Sequence, residues 1–279
     1  MSRLLHFGVF SLIVLASVAS AQHTATPPLH TGGHRILDSK NRVVRLTSVN
    51  WYGFDQKEFV PGGLDLAPLG KIIEQIRLLG VNSVRLPWAN ETIEKNPTNR
   101  ALDVMDRVIA ALAEARIMVI LDNHASRADW CCQDDDGNGL YNHEYPEEKW
   151  LADWRAMVLR YKKQPWVVGA DLRNELCSGA TWGGSDPKLD WRAAAERGGN
   201  AVLDANPRLL IMVEGPQYST DFVAFARLPL TLKVPDRLVY SPHAYALVRR
   251  IPEREKSQLG LLAFERNAVF RLQPDLQRT

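Results

Sequence analysis

Short β-rich apolar runs that alternate with amphipathic helical patterns, each run ending in polar residues, predict an α/β fold of the (β/α)8 TIM-barrel type with about six of the eight β/α units present. The alternation implies parallel strands joined by helical crossovers. The polar run ends separate a barrel from an open doubly wound sheet. An open sheet concentrates its ligand contacts near one switch point, whereas a barrel brings every strand end to one mouth. A third observation agrees: the turn after the first run, NWYGF, lacks the G-x-G-x-x-G spacing of a phosphate-binding turn, which excludes a nucleotide-binding reading.

In chain order, MSRLLHFGVFSLIVLASVASAQ carries Arg3 as a cationic flank, an apolar stretch from Leu4 to Val18, and Ala19-Ser20-Ala21 as a small-x-small site. This predicts a signal peptide over residues 1–21 and a secreted, extracellular mature protein beginning at Gln22. His6 and Ser11 interrupt the stretch, which disfavours a membrane anchor, and no other segment reads as spanning a bilayer. A polar linker over 22–31 contains Pro27-Pro28, and the barrel is expected over 32–248. Its first strand is read at Val43 to Trp51, and KIIEQIRLLG then places Ile72, Ile73, Ile76 and Leu79 on one helical face closed by Gly80. SVRLPW is followed by the helix DVMDRVIAALAEA, IMVIL by EKWLADWRAMVLRY, WVVGAD by WRAAAERGGNAVLDA, and LLIMV by a weaker helical patch at Phe222 to Phe225. RLVYS supplies the sixth strand, and residues 249–279 form an atypical tail.

At 279 residues, with 46% apolar and 24% charged residues, the chain suffices for one large core. Lys plus Arg (34) and Asp plus Glu (32) nearly cancel, so no field favours nucleic acid or an acidic membrane, and a monomer acting on an uncharged substrate fits. Given secretion, a disulfide is expected between Cys177 and either Cys131 or Cys132, while the adjacent Cys131-Cys132 pair lacks the spacer of a zinc site. DDDGNG, with Asp134, Asp136, Asn138 and Gly139, resembles half a calcium loop, but Tyr145 stands at its twelfth position, so it reads as a solvated turn. Asn90-Glu91-Thr92 is a glycosylation sequon at the expected mouth, where a glycan would obstruct the cleft, so Asn90 is expected unmodified.

The strand ends carry the chemistry. They supply Asn50-Trp51, Arg85 with Trp88, Asn123-His124, Asn174-Glu175, Glu214, and His243 with Tyr245. A carboxyl group at a barrel mouth beside a neutral amide can protonate a leaving alkoxide while the amide binds a substrate hydroxyl. Glu175 and Asn174 fit those roles. Of the eight tryptophans, Trp51 and Trp88 lie just past strands and could offer flat faces to sugar rings. Trp150 and Trp154 stand at helical spacing and read as core.

HRILDSKNRVVRLTSVNWYGFD, LGVNSVRLPWANE, VILDNHAS, ADLRNEL and VYSPHAYA together resemble the secreted cellulase-type glycoside hydrolases of family 5, from about residue 30 to about residue 247. The resemblance implies a retaining mechanism with Glu175 as acid/base, Asn174 on the sugar 2-hydroxyl, and Arg85, His124, His243 and Tyr245 supporting the carboxylates or the substrate. No cofactor and no metal are expected. His243-Ala244-Tyr245 stands where the family often has His-Asp-Tyr. The family's second carboxylate, the nucleophile in a segment such as Glu-Phe-Gly, has no counterpart after Leu247; in LLAFER, Glu265 follows Phe264 and Arg266 replaces the glycine. The in-chain candidate for that role is Glu214, which otherwise reads as a loop-ordering carboxylate. Two functions are therefore expected: hydrolysis of O-glycosyl bonds in β-linked polysaccharides, endo-β-1,4-glucanase-like, or an inactive or truncated relative that binds carbohydrate without turnover.

Overall fold

A computed structural model describes residues 24–129, 140, 144–177, 179–221 and 223–244. The predicted signal peptide, the tail, Tyr245, Cys131, Cys132 and the DDDGNG stretch lie outside the described residues.

The chain begins with a small antiparallel sheet of β1 (His30–Gly32), β2 (Arg35–Leu37) and β3 (Val43–Val44). The remaining strands are β4 (Ser48–Asn50), β5 (Ser83–Ala89), β6 (Met118–Ala125), β7 (Val167–Asp171), β8 (Leu210–Val213) and β9 (Leu238–Tyr240). They form one six-stranded parallel sheet in the order β4-β5-β6-β7-β8-β9. Spatial order equals chain order, as in a barrel; a doubly wound sheet reverses at a switch point. The connections carry α1 (Leu69–Leu78), α2 (Asn90–Asn99), α3 (Ala101–Glu114), α4 (Glu147–Arg160), α5 (Trp191–Ala205), the short turn α6 (Pro216–Ser219) and α7 (Val223–Arg227).

Two apolar clusters explain this arrangement. The larger one lies between the sheet and the helices. Val84, Leu86 and Trp88 of β5 and Val119 and Leu121 of β6 meet Ile73 and Ile76 of α1, Met105, Val108, Ile109 and Leu112 of α3, and Trp150 and Trp154 of α4. The smaller cluster takes the opposite strand faces, through Met118, Ile120, Val168, Leu210, Met212 and Val239, and is capped by Leu29, Ile36, Val44 and Leu46 from the N-terminal sheet. Because side chains alternate along a strand, β6, β7, β8 and β9 each feed both clusters. The capping residues meet the sheet near the starts of β6 and β8, which leaves the carboxyl ends for the site. Buried Asp38 ties this cap together, accepting from the amides of Thr26, Lys40 and Arg42 and from the Arg42 guanidinium. Burial alone would raise its carboxyl, but these bonds hold it well below the usual range.

Two sequence expectations need correction. The run Val43 to Trp51 is not one strand: it divides into β3 and β4, because Leu46 turns between them into the capped interior cluster. The expected linker ends early, since His30 and Thr31 already pair in β1, and the Thr31 amide bonds to the Asp236 carbonyl just before β9. Helix α2 has no counterpart in the sequence reading.

Candidate active site

Alternation along β5 sends Arg85 to the face opposite Val84, Leu86 and Trp88, into the space ringed by the strands. Its guanidinium is 1% exposed and serves three strand-borne carboxylates. Arg85 Nη1 lies 2.8 Å from Asp122 Oδ2 of β6, Nε donates to Asp171 Oδ2 of β7 over 2.9 Å, and Nη2 donates to Glu214 Oε1 after β8 over 2.8 Å. The same Nη2 donates to Asn174 Oδ1 over 3.0 Å. Burial pushes the Asp171 carboxyl well above its ordinary value; Arg85 opposes this, while Glu214 and Asp122 add to it. Asp122 and Asp171 escaped the sequence reading. The available signal was an acidic residue inside an apolar strand run, a position occupied only when a partner charge faces it.

The Asn174-Glu175 pair follows β7 by a short buried segment. The Asn174 amide bonds to the Asn123 carbonyl over 3.1 Å, which aligns the segment with the end of β6. Glu175 sits at φ +41°, in the left-handed region that a non-glycine residue keeps only when its surroundings hold it there. Its backbone amide donates to Glu214 Oε2 over 2.7 Å. Its Oε1 lies 2.6 Å from His243 Nδ1, and His243 Nε2 lies 3.0 Å from Glu214 Oε1. Burial would lower the His243 imidazolium, but Glu214 and Glu175 outweigh it and raise the group to about 10 against Arg85. The turn after β8 fixes the ring: the His243 amide bonds to the Ser219 carbonyl, and Ser219 Oγ donates to the Ser241 carbonyl. His124 completes the cluster, with Nδ1 2.7 Å from Asp122 Oδ2 and the side chain 18% exposed.

The structure thus places Glu175, Asn174, His124, His243 and Glu214 at or just past the carboxyl ends of the parallel strands, with Arg85 reaching them from within β5. It does not bring the two tryptophans with them. Trp88 is 0% exposed and packs edge-on against Trp154 with ring centroids 5.1 Å apart, and Trp51 is buried with Nε1 donating to the Gly62 carbonyl. Neither offers a face to a sugar. The aromatic ring exposed just past β4 is Tyr52, 53% exposed and lying across Gly62, where a Cβ would come within 2.8 Å of its Cζ. Trp150 and Trp154 are core residues, in agreement with their spacing.

Behind the site, on the helix side of the sheet, Arg173 donates to Asn123 Oδ1 and Ser126 Oγ, Trp150 Nε1 donates to Asn123 Oδ1, and Asn90 Nδ2 donates to Asp153 Oδ2. Asn90 is fully buried, so its side-chain amide has no room for a glycan; the reason is burial, not obstruction of the cleft. Cys177 is buried after β7, and its expected partners lie outside the described residues. Among the described residues no group of three or more His, Cys, Asp or Glu side chains is placed to hold a metal ion.

Residues 40–258 match the family described as Cellulase (glycosyl hydrolase family 5). An endoglucanase of Paenibacillus polymyxa is 33% identical over 246 residues, covering 77% of this chain and 59% of that protein. The major extracellular endoglucanase of Xanthomonas campestris pv. campestris is 32% identical over 271 residues, covering 85% of this chain and 54% of that one. The chain therefore spans little more than half the length of these relatives. Among solved structures, an endocellulase of Pyrococcus horikoshii in complex with cellotetraose superposes with a TM-score of 0.69 at 28% identity, over 80% of this chain and 70% of the other.

Proposed function

The chain belongs to the cellulases of glycosyl hydrolase family 5, and from that premise we propose that its strand-end cluster is the acid/base half of a retaining endo-β-1,4-glucanase site. The observation that carries this reading is the position of Glu175: a carboxyl at the carboxyl end of a parallel strand, next to Asn174 and hydrogen-bonded to His243. In this reading Glu175 protonates the leaving glycosidic oxygen, Asn174 holds the sugar 2-hydroxyl, and His124 and His243 border the reacting sugar. Tyr52 offers the exposed aromatic face for a glucosyl ring, the role first expected of Trp51 and Trp88. A β-glucan substrate is in keeping with the endoglucanase names of the relatives and the cellotetraose bound by the Pyrococcus horikoshii protein. Secretion is in keeping with the signal peptide expected from the sequence of residues 1–21 and with the extracellular Xanthomonas campestris relative.

Carbohydrate binding without turnover is favoured by one specific feature. Retention needs a second carboxylate about 5 to 5.5 Å from the acid and open to the anomeric carbon. Glu214 is 0% exposed, and both its oxygens face donors. The test is calorimetric titration of the 279-residue chain with cellotetraose, beside hydrolysis assays on an aryl β-glycoside and soluble β-glucan. Binding without hydrolysis is expected. Failure to bind any β-glucan oligosaccharide overturns the substrate reading, and turnover by the parent chain overturns the reading of binding without hydrolysis.

A further inference from the structure

We propose that Glu214 is a positioning residue: one buried carboxylate that holds Glu175 by its backbone amide and, through His243, by its side chain, and so fixes where the acid/base points. This inference rests on Glu175 being the acid/base. It starts from the partners of the two Glu214 oxygens. Oε2 accepts the Glu175 amide over 2.7 Å, while Oε1 lies 2.8 Å from Arg85 Nη2 and 3.0 Å from His243 Nε2. Two donors therefore hydrogen-bond to one fully buried carboxylate, and the His243 ring stands at ion-pair distance from it, which leaves it no open approach to an anomeric carbon.

The hold acts on both ends of Glu175. Its backbone occupies the left-handed region at φ +41°, a conformation that is strained for a non-glycine residue and persists only where contacts over-determine it. The bond from its amide to Glu214 is such a contact. Its carboxyl meets His243 Nδ1 at 2.6 Å, and the other nitrogen of the same ring faces Glu214. Since both constraints originate in one side chain, which Arg85 ties to Asn174, the amide and the acid of the Asn174-Glu175 pair share a single reference. A glutamine cannot replace this carboxylate. It has one acceptor and one donor where each carboxylate oxygen accepts a hydrogen bond, so either orientation of its amide points an NH2 group at a donor.

The charged groups facing His243 are Glu175, Glu214 and Arg85, the last in contact with Asp122 and Asp171. Removing the charge of Glu214 leaves burial and Arg85 opposed by Glu175 alone, so the imidazolium must lose protons more easily. The experiment is an NMR titration of the full chain labelled in its histidine rings, with His243→Asn to assign the signal, and it requires neither sugar nor turnover. In Glu214→Gln the His243 midpoint is expected to fall by at least about one pH unit, a tenfold loss of proton affinity. In Glu175→Gln, which leaves Glu214 in place, it is expected to stay above the ordinary histidine value; this second variant decides the matter if Glu214→Gln does not fold. A His243 midpoint unmoved by Glu214→Gln, or returned to the ordinary value by Glu175→Gln, overturns the proposal. So does covalent labelling of Glu214 by a 2-deoxy-2-fluoro-glucoside. A chain that binds no β-glucan but shows the expected titrations loses its proposed substrate while keeping this arrangement.

Discussion

Arg85 Nε donates to Asp171 Oδ2 over 2.9 Å at a point where both side chains are sealed from water. That pair is one spoke of a hub: the same guanidinium also neutralises Asp122 and Glu214, so four strands of the sheet are joined by one cation. Arg85→Met removes the cation and leaves the acids. Breaking a buried ion pair from one side costs about 3 to 5 kcal/mol, and urea unfolding at neutral pH should show a loss of that size. The deficit should shrink under acid conditions, because protonation relieves the unpaired carboxylates. A loss below about 1 kcal/mol at neutral pH would mean that the hub is not a structural requirement.

A second expectation concerns pH. His243 titrates higher in the folded chain, about 10 against an ordinary 6.5, so it binds its proton more tightly when folded. Its stabilisation is therefore complete below the unfolded value and is lost as pH rises from about 6.5 through about 10. Within that window each pH unit removes up to about 1.4 kcal/mol. Denaturation midpoints measured from pH 6 to 10 should decline in the parent chain and decline less in His243→Asn. Parallel profiles for the two proteins contradict the assignment.

How far the sequence disclosed this site depends on strand faces. The Asn174-Glu175 pair was legible because an amide and a carboxylate at the end of a buried run have no packing reason to be there. The helix-facing role of Trp150 and Trp154 followed from their spacing. The face of each strand-end residue was harder, because a shift of one residue moves a side chain to the other side of the sheet. Arg85 and Trp88 stand an odd number of positions apart and so cannot both face the barrel interior, and the same parity sends Trp51 into the helix-facing core while Asn50 faces in. Helix α2 was hidden for a different reason. NETIEKNPTN carries Pro97 and little apolar periodicity, and it is anchored by buried polar residues, with Thr92 Oγ1 accepting from the Ala89 amide and donating to the Phe54 carbonyl.

Tyr52 carries the third prediction. Its ring is half exposed and packs over Gly62, so truncation should cost the fold little while removing an apolar face from the mouth. Tyr52→Ala is expected to weaken cellotetraose binding by roughly 0.5 to 1.5 kcal/mol, a several-fold rise in Kd by calorimetry. Tyr52→Phe should retain most of the affinity if the face is what binds. Equal affinities for the parent chain and Tyr52→Ala would place the sugar elsewhere.

The fourth prediction lies behind the site, where α5 passes α4 at Gly198. An alanine in a helix interior ordinarily gains about 0.8 to 1 kcal/mol over glycine. At Gly198 the added Cβ would come within 2.3 Å of the Trp150 ring. That ring cannot easily yield, because it is 3% exposed and its Nε1 donates to Asn123 Oδ1 over 2.9 Å. Overpacking of this kind costs typically 1 to 3 kcal/mol, so the clash should outweigh the helical gain, and Gly198→Ala should be destabilised by roughly 1 kcal/mol or more. The strain should also reach the site, since Asn123 accepts from Arg173 through its side chain and from the Asn174 amide through its carbonyl. Trp150→Leu supplies the control: with the large ring gone, adding alanine at Gly198 should no longer destabilise. If the alanine costs the same in both backgrounds by urea denaturation, the contact with Trp150 is not its cause.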